Sequence, residues 1–241
     1  MSTSSDASLD ITEVIAKFPN FRVGIVICKG LNIPSSRNEL INQFVRVAER
    51  EAVESLVDLS IAELPEVKCW RDAYKKFGVK KTSYRSSIER LVKKVVRDRS
   101  LPCVNGMVDL YNAVSLRWLM PIGADDLDKV CLPLTFRAAH GDESFVPLGS
   151  IGISSPPKKD EIIYADSEKC LCRRWNWYQN DFSAIRPDTN RAVLTIQALA
   201  PNNSHVQAAA NQLGALLEEN CGAESSVKLA DKTRPFVRLE L

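Results

Sequence analysis

Histidine is nearly absent from this 241-residue chain, which holds only His140 and His205, far apart in sequence. That scarcity argues against a histidine-rich metal centre and leaves no spacing that supports a Cys/His nucleophile pair. Glycine is sparse as well, at 10 residues, and none of it builds a phosphate-binding loop. There is no G-x-G-x-x-G, and neither Gly24 nor Gly30 is followed by Gly-Lys-Ser/Thr. Long apolar runs are missing: the stretch at 25–28 falls far short of the ~20 residues a membrane-crossing helix needs. The first ten residues are rich in Ser and Asp, with neither a basic segment nor an apolar core, so no secretory signal is expected. Seven cysteines, an odd number scattered at positions 28, 69, 103, 131, 170, 172 and 221, then read as reduced, mostly buried thiols. The expected location is the cytoplasm, with no membrane partner.

What is present is globular. At 45% hydrophobic and 26% charged residues, the composition excludes disordered, collagen-like and disulfide-scaffold classes. A chain of this length buries roughly 70–75% of its extended surface on folding, enough for a core without staples. The net charge of +2 conceals an asymmetry. Residues 68–99 hold twelve basic and three acidic side chains, a local +9, against −7 for the remainder. A basic face on an otherwise acidic protein is an anion-binding footprint.

Strand and helix patterns alternate along the chain. The apolar run 21–28 reads as a buried strand. Ser36 with Glu39 is a capping-box pair, and helical apolar spacing over 36–57 follows it. A short helix is expected at 70–77. Ser86 and Glu89 repeat the capping-box pattern on a basic helix at 82–99, with Ile88, Leu91, Val92, Val95 and Val96 as its buried face. The helix at 107–119 is apolar almost all round. Beyond Pro121 the texture turns to strands and turns, with Gly and Pro clustered at 141–157. Strands are expected at 174–178, 192–196 and 236–241, and a helix at 203–219 ending at Gly222. The economical reading is a flexible tail over 1–12 and a single α+β domain over 13–241.

Four constellations could carry chemistry. Asn105, Asp109 and Asn112 share one face of the 107–119 helix; they either tie down neighbouring loops or line a pocket. Asp125, Asp126 and Asp128 suggest acid/base or metal work, but no His or Glu cluster accompanies them, and capped turns explain the spacing better. Cys170-x-Cys172 lacks the partners of a zinc site, so no metal or other cofactor is expected. In the run from Arg173 to Asp181, an extended chain would turn Arg173, Trp175 and Trp177 to one side. Those side chains could stack a nucleobase and hold an anion, or form an apolar patch with snorkelling arginines.

The succession Tyr84-Arg85-Ser86-Ser87-Ile88-Glu89-Arg90-Leu91, Pro102-Cys103-Val104-Asn105-Gly106-Met107-Val108-Asp109-Leu110-Tyr111-Asn112 and Pro121-Ile122-Gly123-Ala124-Asp125-Asp126-Leu127-Asp128-Lys129 resembles the editing domain of the phenylalanyl-tRNA synthetase beta chain. With Asp188-Thr189 before the strand at 192–196, the resemblance spans about 68–200. The Tyr-Arg-Ser-Ser and Cys-Arg-Arg-Trp-Asn-Trp versions resemble its stand-alone branch, which lacks the aminoacylation and anticodon-binding modules. The resemblance implies an α+β fold with a β-sandwich-like core and helices packed against it. It implies hydrolysis, in trans, of the ester of mischarged aminoacyl-tRNA by a positioned water. Such a second sieve serves where binding alone discriminates poorly. It also implies a pocket built from Asn105, Asp109 and Asn112, closed by Arg173, Trp175 and Asn176, with Asp181 near the position that reads the amino-acid side chain. The basic helix, through Tyr84, Arg85, Arg90, Lys93, Lys94 and Arg97, would hold tRNA rather than DNA. Two departures stand out. Gly123 replaces the family's pocket histidine, and Cys172-Arg173-Arg174-Trp175 replaces a Met-Gly-Gly turn. The alternative is therefore a non-catalytic module that binds tRNA or an amino-acid-like ligand on the same scaffold. No catalytic residue, amino-acid identity or oligomeric state follows from the sequence.

Overall fold

The computed structural model describes residues 7–80, 83–150, 152–200 and 205–241. The most apolar stretch of the chain becomes β2 (Arg22–Lys29), buried on both faces because it lies inside a four-stranded sheet. Its neighbours are β8 (Ala192–Ala198) and β9 (Glu224–Ala230), both antiparallel, and β3 (Ile122–Asp126) extends the sheet beyond β8 in the order β3-β8-β2-β9. Helix α6 (Val206–Cys221) lies against β2 so closely that a Cβ on Gly24 would come within 3.0 Å of Ala210 and Val206. A larger residue at position 24 would push the helix off the sheet.

The second sheet runs β10-β1-β4-β5-β6-β7. Its strands are β1 (Ser8–Asp10), β4 (Leu134–Ala138), β5 (Ile162–Ala165), β6 (Cys170–Arg173), β7 (Tyr178–Gln179) and β10 (Phe236–Arg238). β1 is parallel to β4 and antiparallel to β10. This corrects the tail expected over 1–12. Residues 8–10 are an interior strand and Thr12 opens helix α1 (Thr12–Lys17), while residues 1–6 lie outside the described part. Four more helices complete the structure: α2 (Glu39–Leu56), α3 (Pro65–Lys76), α4 (Ser87–Asp98) and α5 (Gly106–Trp118). One apolar core joins Val23 and Leu194 of the first sheet, Phe136 and Tyr164 of the second, and Ile41, Trp70, Val92 and Leu110 of the helices. The α+β expectation holds.

Three local expectations change. The cap of α2 is Asn38, whose side chain accepts from Ile41 N–H at 2.9 Å, so the Ser36/Glu39 box is not used. Helix α4 starts at Ser87 instead of 82, and residues 81–82 lie outside the described part; Ser86 caps it, accepting from Glu89 N–H at 3.4 Å. Helix α6 begins at Val206, residues 201–204 being undescribed.

The expected strand at 174–178 is a turn between β6 and β7, with Arg174 and Trp175 at φ 47° and 69°. Left-handed backbone costs a non-glycine residue roughly 1–2 kcal/mol. Burial of the whole Trp175 ring offsets that cost. The ring is edge-on to Phe18, Phe21 and Trp70, with centroids 4.9, 4.8 and 5.2 Å away.

Candidate functional site

A cavity of about 450 Å³ opens where the edge strand β3 of one sheet meets the edge strand β7 of the other, under α4 and α5. Helical periodicity supplies its roof. Ser87, Arg90, Leu91 and Lys94 form one stripe of α4, and Val108, Tyr111, Asn112 and Ser115 one stripe of α5. The floor comes from strand alternation: Gly123 and Asp125 on β3, and Thr195 and Gln197 on β8. Tyr164 of β5, Cys172 of β6 and the segment from Asn176 to Gln179 close the far side. Gln179 pins the two sheets together, its Nε2 donating to the Ala124 carbonyl and, at 3.2 Å, to Asp125 Oδ1.

Asp125 is the buried acid of this cavity, 4% exposed. Its Oδ1 also accepts from Ser183 Oγ at 2.6 Å. Burial pushes its pKa up to about 7, further helped by the charges of Asp166 and Asp126, while the Ser183 and Gln179 hydrogen bonds pull the other way. The hydroxyls of Tyr111 and Tyr164 and the Cys172 thiol are raised by burial and by the charge of Asp125. Two hydroxyl oxygens on the lining, Tyr164 Oη and Ser87 Oγ, are buried with no hydrogen-bond partner. Orphaned buried hydroxyls are costly and call for a ligand or water. At Gly123 an added Cβ would meet nothing within 4 Å, so this position is open space.

The polar stripe of α5 divides between its two readings. Asn105 is the N-cap of the helix and accepts from Val108 N–H at 2.9 Å. Asp109 is fully buried, accepting from Val104 N–H at 2.9 Å and pairing with Arg37 Nε at 2.7 Å. Arg37 in turn donates to the Pro102 carbonyl, so both residues fasten the loop before the helix. Only Asn112 lines the cavity.

The expected closure by Arg173, Trp175 and Asn176 reduces to Asn176. It accepts from Tyr74 Oη at 2.9 Å and donates to Gln197 at 3.1 Å. Arg173 is buried in a two-pronged pair with Glu161, at 3.0 and 2.9 Å, and Trp175 belongs to the core. Asp181 sits off the cavity, accepting from Gly149 N–H and pairing with Arg186. Of the aspartates after Pro121, Asp126 caps a turn through Thr189 and Asp128 pairs with Arg191. Capping and surface pairing thus account for those two but not for Asp125, for which the carboxylate cluster was the signal and the capped-turn reading is corrected. Its i, i+2 relation to Gly123 on β3 is what turns it into the cavity.

The basic face is heavily paired. Glu89, fully buried, receives Arg71, Arg85 and Lys93 at 2.5, 2.7 and 2.7 Å. Lys94 and Arg97 share Asp98. Arg90 donates to the Trp177 carbonyl at 2.9 Å and lies over the Tyr178 ring, holding its charge at the cavity mouth beside Lys94. Tyr84 stacks on Arg174, which also covers Trp177. His140, Asp142 and Glu143 could together offer ligands to a metal ion. Glu143, however, is already engaged by Arg137 and by the N–H groups of His140 and Gly141. Among the described residues, no helix is long and apolar enough to cross a membrane.

Comparison with known proteins gives three findings. The B3/4 domain family matches residues 69–222. An 80-residue stretch is 34% identical to part of the phenylalanine–tRNA ligase beta subunit of Fusobacterium nucleatum subsp. nucleatum, covering 33% of this chain and 10% of that protein. The chain thus aligns with about a tenth of that relative's length. A crystal structure of an N-terminal fragment of the phenylalanyl-tRNA synthetase beta subunit from Pyrococcus horikoshii superposes with a TM-score of 0.48 at 15% identity. The match covers 90% of this chain and 49% of that one.

Proposed function

This chain belongs to the B3/4 domain family, and from that premise we propose that its cavity takes the aminoacyl end of a charged tRNA and hydrolyses the ester in trans. The observation that carries the reading is the convergence of Asn112, Asp125, Gln179 and Thr195 on one open cavity of about 450 Å³, with Arg90 and Lys94 at its mouth. That volume suits an amino-acid side chain and its ester, and the cationic mouth suits the phosphates behind them. The chemistry falls to a positioned water. Asn112 and Thr195 orient the ester and the attacking water, which adds to the carbonyl carbon. The ester bond then breaks, and the water's proton passes to the departing ribose oxygen, leaving free amino acid and uncharged tRNA. Cys172 is no nucleophile in this scheme, because burial holds its thiol protonated.

The test is to incubate the protein with a panel of correctly and wrongly charged tRNAs and follow ester loss. Deacylation of at least one mischarged pair above the buffer rate is expected. Gly123, standing where the synthetase domain has a histidine, supports a second reading: a module that binds without turnover. Tight tRNA binding with no ester loss on any pair would establish that second reading and remove the first.

A further inference from the structure

We propose that the cavity selects its ligand by a primary ammonium group seated on Asp125, while the ligand's anionic part leaves past Arg90 and Lys94. The proposal deepens the reading of the cavity given above and rests on it for the ligand's other end.

The charge distribution motivates it. Asp125 is one of three acids clustered here, and the other two carry their own cations. Lys129 lies 3.1 Å from Asp126, and Lys169 lies 2.9 Å from Asp166. Among the described residues, none gives Asp125 an ion-pair partner. The groups that face it are the Tyr111 hydroxyl from α5, the Tyr164 hydroxyl from β5, the Cys172 thiol from β6, and Asp126 and Asp166. All are neutral or acidic, so a carboxylate placed among them lacks a counter-charge.

Both of its hydrogen bonds, from Ser183 and Gln179, fall on Oδ1. The carboxyl is therefore held in a fixed orientation with Oδ2 unused by any described donor. The Tyr164 hydroxyl, on a side chain 2% exposed and without a partner, lines the same space. An ammonium offers three donors and no acceptor. It would meet Oδ2 and Tyr164 Oη together, satisfying the orphaned hydroxyl and the unpaired carboxylate at once. Arg90 is exposed and Lys94 partly so, so the cations stand at the open end and the acid at the closed one. The cavity is polarised, and a ligand with an amine at one end and phosphate at the other fits that polarity. An aminoacyl group on a terminal adenosine has this form.

The probe is a non-hydrolysable 3′-aminoacylamino-3′-deoxyadenosine and its N-acetyl derivative, titrated calorimetrically into the full chain. The free amine is expected to bind tighter by about tenfold or more, a margin typical of one charge-assisted contact. The margin is expected to peak at about pH 7.5, between the ordinary α-amino pKa and that of the buried acid, and to shrink at about pH 5, where the carboxyl is protonated. Asp125→Asn is expected to abolish the preference, bringing the free amine and the N-acetyl compound to the same affinity, with an unchanged circular-dichroism spectrum and a cooperative thermal transition showing that the variant is folded. Equal affinity for the two compounds, a preference that survives Asp125→Asn, or binding of neither would overturn the proposal. A preserved amine preference in a protein that deacylates no tRNA would leave this proposal standing while removing the hydrolytic reading.

Discussion

Asp125 is a buried carboxyl held well above the ordinary aspartate range, and its linkage to stability has a definite sign. Its folded pKa of about 7 lies above the ordinary aspartate value. Below about pH 4 both folded and unfolded chains hold the proton, and the group is neutral in the balance. Between about pH 4 and 7 the folded state binds more protons, so stability falls as pH rises, by a total on the order of a few kcal/mol. Asp125→Asn keeps an acceptor for Ser183 and Gln179 but removes the titration. Urea unfolding at about pH 5 and pH 8 is expected to show the parent losing stability relative to this variant; parallel curves would mean an ordinary carboxyl. The α5 stripe gives a second contrast. Asp109→Ala strands Arg37 and the Val104 N–H and is expected to cost about 3–5 kcal/mol. Asn112→Ala is expected to stay within about 1 kcal/mol while ligand binding or turnover is lost. Equal losses of stability in the two would place Asn112 among the structural residues. Helical spacing put Asn105, Asp109 and Asn112 on one face, and that much was legible. Which of them meets a loop and which a cavity depends on what faces each turn, and local periodicity carries no such information.

At the scale of the element, the Ser86 cap and the buried stripe of α4 are readable from sequence, because capping and amphipathic spacing are both local. The basic face of α4 holds more than spacing shows. Glu89 follows Ser86 as the second member of a capping-box pattern, yet it sits fully buried under three cations. Burial alone would raise its pKa; hydrogen bonds from Arg71 and Lys93, and their charges, outweigh burial and hold it below the ordinary value. Stability from this cluster is therefore present above the unfolded glutamate pKa and is lost as pH falls through the lower folded one. Glu89→Gln is expected to cost about 1–3 kcal/mol at neutral pH and much less near pH 3, read by chemical unfolding at both. A loss independent of pH would assign the effect to packing. The turn from Arg174 to Trp177 was illegible for the opposite reason. Nothing in Arg-Arg-Trp-Asn-Trp announces two left-handed residues, and only the apolar space among Phe18, Phe21 and Trp70 makes that conformation favourable.

The arrangement of the whole molecule decides what the charge asymmetry can do. Two sheets present their edges, β3 and β7, to one another, and the cavity exists only because α4 and α5 bridge that junction. No sequence window contains β3, β7 and β8 together, so the roof was legible and the floor was not. The same geometry sorts six of the twelve basic residues of 68–99. Arg71, Arg85 and Lys93 converge on Glu89, and Arg97 and Lys94 share Asp98, while Arg90 has no described acidic partner and stands with Lys94 at the mouth. If tRNA approaches this mouth, its salt dependence arises there. Arg90→Gln and Lys94→Gln are each expected to weaken tRNA binding and to reduce the slope of log affinity against log salt by about 0.7, as for one single-strand phosphate contact. Lys93→Gln is expected to leave the slope nearly unchanged and to lower stability instead, because its ammonium is held on the buried Glu89 and does not line the cavity mouth. Filter binding across a salt series, paired with thermal unfolding, separates the two classes. Should Lys93→Gln lower the slope as much as Arg90→Gln, the polyanion would lie along the whole helix, not at the cavity mouth.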